Sequence, residues 1–130
     1  MAITKTILKL THIDAVVKIV NDSSTPASVT IAVATDLKRA DETQTGTIDV
    51  RLSTVEYGLG TGGGKIMRST ADVLEMPASN HGMFTYELGN DPTQSNQDLV
   101  VTIGQGTVFI RLLKVAGYVP TFKPEQNGGY

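Results

Sequence analysis

Apolar side chains recur along this chain every second residue far more often than every third or fourth. In residues 29–33, Val29, Ile31 and Val33 alternate with Thr30 and Ala32. In 48–52, Ile48, Val50 and Leu52 alternate with Asp49 and Arg51, and in 84–88 Phe84, Tyr86 and Leu88 alternate with Thr85 and Glu87. Successive side chains of a strand point to opposite faces, so each segment reads as a strand with one buried and one wetter face. Less regular strands are expected over 3–10, 15–20 and 99–103. The longest apolar run, 107–115, is broken by Arg111 and Lys114, whose spacing of three leaves a helix open. The unbroken Val108, Phe109 and Ile110 favour a strand buried on both faces.

Turn chemistry separates these runs. Loops or turns are expected at 21–26, 58–64, 80–82 and 89–92, and 104–106 reads as a tight hairpin connection between two apolar runs. The next apolar positions after Leu52 are Val55 and Tyr57, a change of phase that predicts a β-bulge near Ser53 and Thr54. Residues 36–46 are polar and read as a long loop with one helical turn at 37–40. About eight or nine short strands with regular turns predict an all-β, single-domain antiparallel β-sandwich, jelly-roll-like, with extended N- and C-terminal arms. The sandwich is assigned residues 1–117, including an N-terminal strand or arm, and the tail 118–130. Pro120 has no amide donor, which bars that segment from a central strand.

Composition narrows the function. A 130-residue chain buries roughly two thirds of its unfolded surface, enough for a core without metals or disulfides. It contains no cysteine, which removes disulfides, thiolate metal sites and cysteine nucleophiles and fits a reducing compartment. The formal net charge is −2, and basic residues come singly or in pairs such as Lys38 and Arg39. Nucleic acid is therefore not an expected partner, because sequence-independent binding needs clustered cations. No apolar stretch approaches the roughly 20 residues of a membrane helix, so no membrane is expected either. The opening 1–5 lacks the apolar core of a secretion signal, and a soluble chain without a cleaved leader is expected.

Candidate chemistry is sparse. Gly58, Gly60 and Gly63 match the dinucleotide-binding glycine spacing after a strand. That site requires a helix opening at the glycines, whereas Lys65, Ile66, Met67 and Arg68 read as strand, and no acid stands about twenty residues on. Aligned as a P-loop, Leu59 takes the first glycine position and Ile66 replaces the hydroxyl that holds magnesium. The segment therefore reads as a mobile loop. His12, near Asp14, reads as a polar strand-end residue and His81 as a turn residue, with no ligand-spaced partner for either. Asp49, Asp72, Glu75 and Glu87 lie on separate strands, and alternation sends Asp49 and Glu87 toward solvent. No calcium loop surrounds Asn21, Asp22, Asn90 or Asp91, and Asn21-Asp22-Ser23 reads as a turn, although it fits a glycosylation acceptor. No catalytic residue, metal or cofactor is assigned, and the chain is read as a non-enzyme.

The two ends carry the candidate interface: Ile3, Ile7, Leu8 and Leu10 on the N-terminal arm, and Tyr118, Val119, Pro120, Phe122 and Tyr130 on the C-terminal tail. Apolar arms leaving a β-core can cover a partner or add to its sheet edge. A tail folded back over its own core is the alternative.

The run Ile3-Thr4-Lys5-Thr6-Ile7-Leu8-Lys9-Leu10-Thr11, followed by Ala15-Val16-Val17-Lys18-Ile19, resembles small virion structural proteins of tailed bacteriophages, particularly those of cyanobacteria and other marine bacteria. The closing segments 99–103 and 109–120 are similar to the C-terminal end of that group. The resemblance implies a capsid decoration (cement) protein. Its partner would be the major capsid protein of the shell, together with self-contacts or a homo-oligomer. Its location would be the capsid surface of the virion, reached from the host cytoplasm during assembly. A head–tail connector, neck or tail protein is the alternative within the same group. A carbohydrate-binding attachment module is a second alternative, disfavoured by the absence of Trp.

Overall fold

A computed structural model describes residues 3–68, 71–85 and 96–120. The chain is all-β, and nine strands lie among the described residues. β1 is Ile3–Leu10, β2 Asp14–Asn21, β3 Ala27–Ile31, β4 Glu42–Leu59, β5 Gly64–Arg68, β6 Ala71–Met76, β7 Asn80–Thr85, β8 Leu99–Ile103 and β9 Gly106–Pro120. They form two antiparallel sheets, one of five strands in the order β1-β2-β9-β4-β7 and one of four in the order β3-β8-β5-β6. The chain passes from sheet to sheet at β2→β3, β3→β4, β4→β5, β6→β7, β7→β8 and β8→β9, which gives the sandwich its jelly-roll-like character.

Alternation decides which side of each strand is dry. Ala15, Val17 and Ile19 of β2, Val50, Leu52 and Val55 of β4, and Val108, Ile110 and Leu112 of β9 are fully buried. Opposite them stand Ile31, Ile66, Leu99, Val101 and Ile103 of the smaller sheet, and all belong to one core. Leu52 and Val55 are both buried although they are three residues apart. The β4–β9 register shifts between Leu52 and Thr54, so the bulge predicted from the phase change is present. Strand also holds throughout 107–115, and the open helical alternative there is not realised.

Other segments differ from expectation, each for a physical reason. Residues 118–120 are not a tail leaving the core. β9 runs on through Gly117, at φ +98, and pairs Tyr118, Val119 and Pro120 with Gln44, Thr43 and Glu42. β2 pairs with β9 no further than Leu113, so Pro120 closes the ladder where only one side is bonded. The polar stretch 36–46 is therefore only in part a loop. Its first part is a turn in which Thr35 and Asp36 donate to Ala32 O at 3.3 and 2.8 Å, with Leu37 buried, and strand begins at Glu42.

Residues 80–82 are strand as well. A Cβ on Gly82 would lie 3.0 Å from Tyr57 Oη, so this glycine makes room for a ring across the ladder. Residues 104–106 connect strands of different sheets and form no hairpin. Residues 58–64 are the companion corner and not a mobile loop. Gly60 N donates to Gln105 O at 2.7 Å and Gly104 N to Gly63 O at 2.9 Å, so the two crossovers lock together. In the predicted strand 84–88, Phe84 and Thr85 lie in β7, while Tyr86, Glu87, Leu88 and the predicted turn 89–92 lie outside the described residues.

The corner yields a test. At Gly64 an added Cβ would meet Ile103 Cγ2 at 2.6 Å and Thr102 O at 2.8 Å. Gly64→Ala is expected to destabilise the fold by about 1–3 kcal/mol through overpacking. Gly58, where a Cβ meets nothing nearer than 3.9 Å, supplies the control. Gly58→Ala should be neutral or stabilising by about 0.4–1 kcal/mol, because it restricts the unfolded chain. Urea midpoints at constant m-value report both, and equal losses would contradict the locked corner.

Candidate interaction surface

The structure divides the nine candidate interface residues. Ile3, Ile7 and Leu10 face inward from β1 and pack against the core, so they are structural, contrary to expectation. Leu8 sits at a register shift between Ile7 and Lys9, which turns it outward at 52% exposure. Tyr118 also turns inward, and its hydroxyl donates to Val33 O at 2.5 Å. Burial raises its phenol pKa, and the Glu42 and Asp98 carboxylates add to that. Val119 and Pro120 are exposed. Phe122 and Tyr130 lie outside the described residues.

Two exposed aliphatic residues escaped the sequence reading. Ile13, in the β1–β2 turn, is 71% exposed, and Val115 of β9 is 54% exposed. Lys114 N donates to Ile13 O at 2.8 Å, which sets Ile13 beside this stretch of β9. Leu8, Ile13, Val115 and Val119 are thus contributed by the β1–β2 unit and the end of β9. Elsewhere on the five-stranded sheet Phe109 is partly exposed, and Met83 of the edge strand β7 strongly so. Hollows of about 290 and 440 Å3 flank Phe109, lined by Val16, Thr54, Glu56, Gly58, Thr107 and Arg111, among others.

A buried charge network braces the end near Ile13. Lys114 alternates inward with Leu112, and its Nζ donates to Glu42 Oε1 and to Thr11 O, both at 2.8 Å. Neither the Lys114 nor the Glu42 side chain has any exposed surface. The ammonium also lies 4.6 Å from the centre of the Tyr118 ring. Glu42 Oε1 accepts the Arg39 amide at 2.8 Å, and Oε2 lies 2.8 Å from His12 Nδ1. Arg39 in turn reaches Leu10 O at 2.8 Å, and Lys38 reaches Glu42 O at 3.0 Å. The network joins the β1–β2 turn, residues 38–42 and β9. His12 is therefore a partner of a buried carboxylate, whereas His81 lies within β7 and is not a turn residue.

A second carboxylate, Asp14, lies on the outer side of the same turn. It accepts Thr11 Oγ1 at 2.6 Å, Arg111 Nη2 at 3.0 Å and Lys9 Nζ at 3.4 Å. The Thr11 hydrogen bond is the main influence lowering its pKa. Burial opposes it, and Arg111 and Lys9 add to the lowering. For Glu42, by contrast, burial is the largest influence and pushes its pKa up. Lys114, the Arg39 amide and His12 outweigh that and hold it below the ordinary value.

Of the remaining candidates, Asn21 is committed to the fold. Asn21 donates through its side-chain amide to Thr25 O at 3.1 Å and Ile103 O at 3.0 Å, and its Oδ1 accepts Ser23 N at 3.0 Å. It is a turn anchor that ties the two sheets. Strand β5 follows the glycine corner, so no helix N-terminus is available there for a phosphate. Among the described residues no group of three or more His, Cys, Asp or Glu could hold a metal ion, and no helix is long and apolar enough to cross a membrane.

Stability should follow these carboxylates. Their folded pKa values lie below the unfolded ones. Their contribution is therefore complete above the unfolded carboxylate pKa values and is lost as pH falls through the folded ones. Lys114→Met strands the buried Glu42 charge and is expected to cost about 3–5 kcal/mol at neutral pH. The Lys114→Met/Glu42→Leu double variant should lose less than the two single losses added together. Urea titrations at pH 7 and pH 3 measure both, with Glu42→Gln flattening the acid limb. Additive losses would show that the pair is not coupled.

The chain matches no protein-family model and no curated protein. Among solved structures it is similar to a cupin superfamily protein from Desulfitobacterium hafniense DCB-2, at 5% identity and a TM-score of 0.37, over 88% of this chain and 78% of that one.

Proposed function

We propose that this chain is a bacteriophage virion structural protein, a capsid decoration (cement) protein that binds the shell of major capsid protein. The observation that carries the reading is the placement of the phage-like segments. Of these segments, 3–11 and 15–19 supply β1 and most of β2 and 109–120 supply most of β9, three neighbouring strands of one sheet, while 99–103 form β8 of the other sheet. The three neighbouring strands and the β1–β2 turn leave Leu8, Ile13, Val115 and Val119 in solvent. Aliphatic groups held on a braced sheet end suit a partner surface. Fully burying such a side chain is worth about 1.5–3 kcal/mol, less where it is already half covered.

A cement protein acts by mass action. It binds the assembled shell in preference to free subunits, and the shell gains stability in proportion to that difference. Modest contacts suffice where several are made at once on a repeating lattice. Work of this kind needs a rigid surface and no turnover. The buried Lys114–Glu42 pair stiffens the end that carries Ile13 and Val115.

The test is co-sedimentation with purified shells. Ile13→Asp/Val115→Asp removes two exposed aliphatic groups without entering the core and is expected to weaken shell binding at least tenfold while circular dichroism stays that of a β-protein. Shell binding at the parental level would sink the proposal. Quantifying copies per particle separates a shell protein, present at every lattice position, from a neck or tail ring.

A further inference from the structure

The outer face of the five-stranded sheet carries a charge pattern that the shell reading leaves unused. One row of the register runs Thr6, Lys18, Phe109, Glu56 and Met83 across β1, β2, β9, β4 and β7. Val17 and Ile19 beside Lys18, and Val108 and Ile110 beside Phe109, are fully buried, and so is Val55 beside Glu56. The row therefore points outward. Lys18 and Glu56 stand two strands apart, at about 10 Å, too far for a direct pair. Among the described residues neither has an ion-pair partner. The other cation of this stretch, Arg111, is already held by Asp14.

We propose that this face is a self-association surface, on which a second copy of the chain packs about a two-fold axis running along β9.

A row that reads cation, aromatic, anion is complementary to its own reverse. Two sheets packed face to face can be related by a two-fold axis along the strands or across them. An axis across the strands, along this row, sets Lys18 against Lys18 and Glu56 against Glu56. An axis along β9 reverses the row. Each Lys18 then meets the Glu56 of the other copy, on both sides of a central Phe109 pair. Charge therefore selects one of the two arrangements, and the contact is isologous and closes on itself.

Size sets the strength. With strands about 4.8 Å apart and rows about 7 Å apart, five strands and three rows offer roughly 500 Å2 per copy. Two copies bury close to the lower bound of about 1,000 Å2 for a specific interface. A weak dimer, with a dissociation constant in about the micromolar range, is expected. The site is independent of the shell surface, since Val115 lies about 20 Å further along β9 from Phe109.

Sedimentation equilibrium of the full chain up to about ten times that concentration tests the proposal. The parent should dimerise, and Phe109→Asp should lower the association constant at least tenfold. Lys18→Glu and Glu56→Lys should each weaken association about tenfold at low salt, and the double variant, with both signs exchanged, should restore it. A parent that stays monomeric overturns the proposal. So does a dimer indifferent to Phe109→Asp, or a double variant no better than the single ones. The charge-swap set carries the test by itself if Phe109→Asp fails to fold. Shell co-sedimentation of Phe109→Asp separates the two surfaces, because its shell affinity depends on Ile13 and Val115.

Discussion

The pairing of β4 with β9 is the constraint on which the rest of this fold depends. Strands of 18 and 15 residues run side by side from Glu42 opposite Pro120 to Leu59 opposite Gly106. β9 gives β2 its inner neighbour, and β4 gives β7 its only described one. Without this ladder the larger sheet would separate into the three strands β1-β2-β9 and the pair β4-β7, and an isolated two-stranded pair is at best marginal in water. The inward residues of the two strands form one wall of the core. The bulge after Leu52 keeps that wall continuous, because it restores the inward phase at Val55. The partners are also far apart in sequence, so the loop-closure cost of the ladder falls due before its burial is gained.

At one end of the ladder the inward phase of β9 carries a lysine into the interior. A strand slipped by one residue exchanges its faces, so a slip here would expose Leu112 and turn Arg111 and Leu113 inward. Glu42 meets Lys114 in the native register alone. Such a pair adds little net stability over well-packed apolar residues, because both ions must be stripped of water. Its effect falls on alternatives, since a mispaired strand strands one buried charge or both. The surrounding donors complete the arrangement. The Arg39 amide, the His12 ring and the Thr11 carbonyl fill positions that water would otherwise occupy. The β1–β2 turn and the start of β4 are thereby fixed to the same point, and the exposed Ile13 is presented from a braced turn and not from a loose arm.

What could be read in the sequence was whatever alternation and phase record. Residues 15–20, 48–52, 99–103 and 107–115 declared their strands, and the interval from Leu52 to Val55 declared its bulge. Where both faces of a strand meet water, alternation disappears, which is why 43–47 at the start of β4 resembled a loop. In the turn-like run Asn80-His81-Gly82, the glycine serves packing, making space beside Tyr57. Pro120 forbids a doubly bonded strand but permits the last rung of a singly bonded one. The apolar residues at the N-terminus were visible, but their direction was not. Ile3, Ile7 and Leu10 serve the core, and the register shift at Leu8 turns that side chain outward. The charge network was unreadable for another reason. Lys114 was conspicuous in an apolar run, but Glu42 sits in an unremarkable polar stretch that only the ladder brings near.

The edges of the two sheets explain why association by faces suits this chain better than association by strands. β1 presents Lys5 and Lys9 along its edge and breaks its own register at Leu8, devices that discourage a foreign strand from adding. Lys5 also donates to Thr30 O at 2.8 Å and pairs with the Asp36 carboxylate, which closes β1 over β3 on that flank. Strand addition is open-ended, since each added copy offers a fresh edge. A two-fold contact between faces consumes both surfaces and stops. The role proposed above, covering a larger surface, calls for the second behaviour and suppression of the first. The chain's charges are distributed accordingly, with lysines along the edge and oppositely signed groups flanking one aromatic ring at the centre of the face.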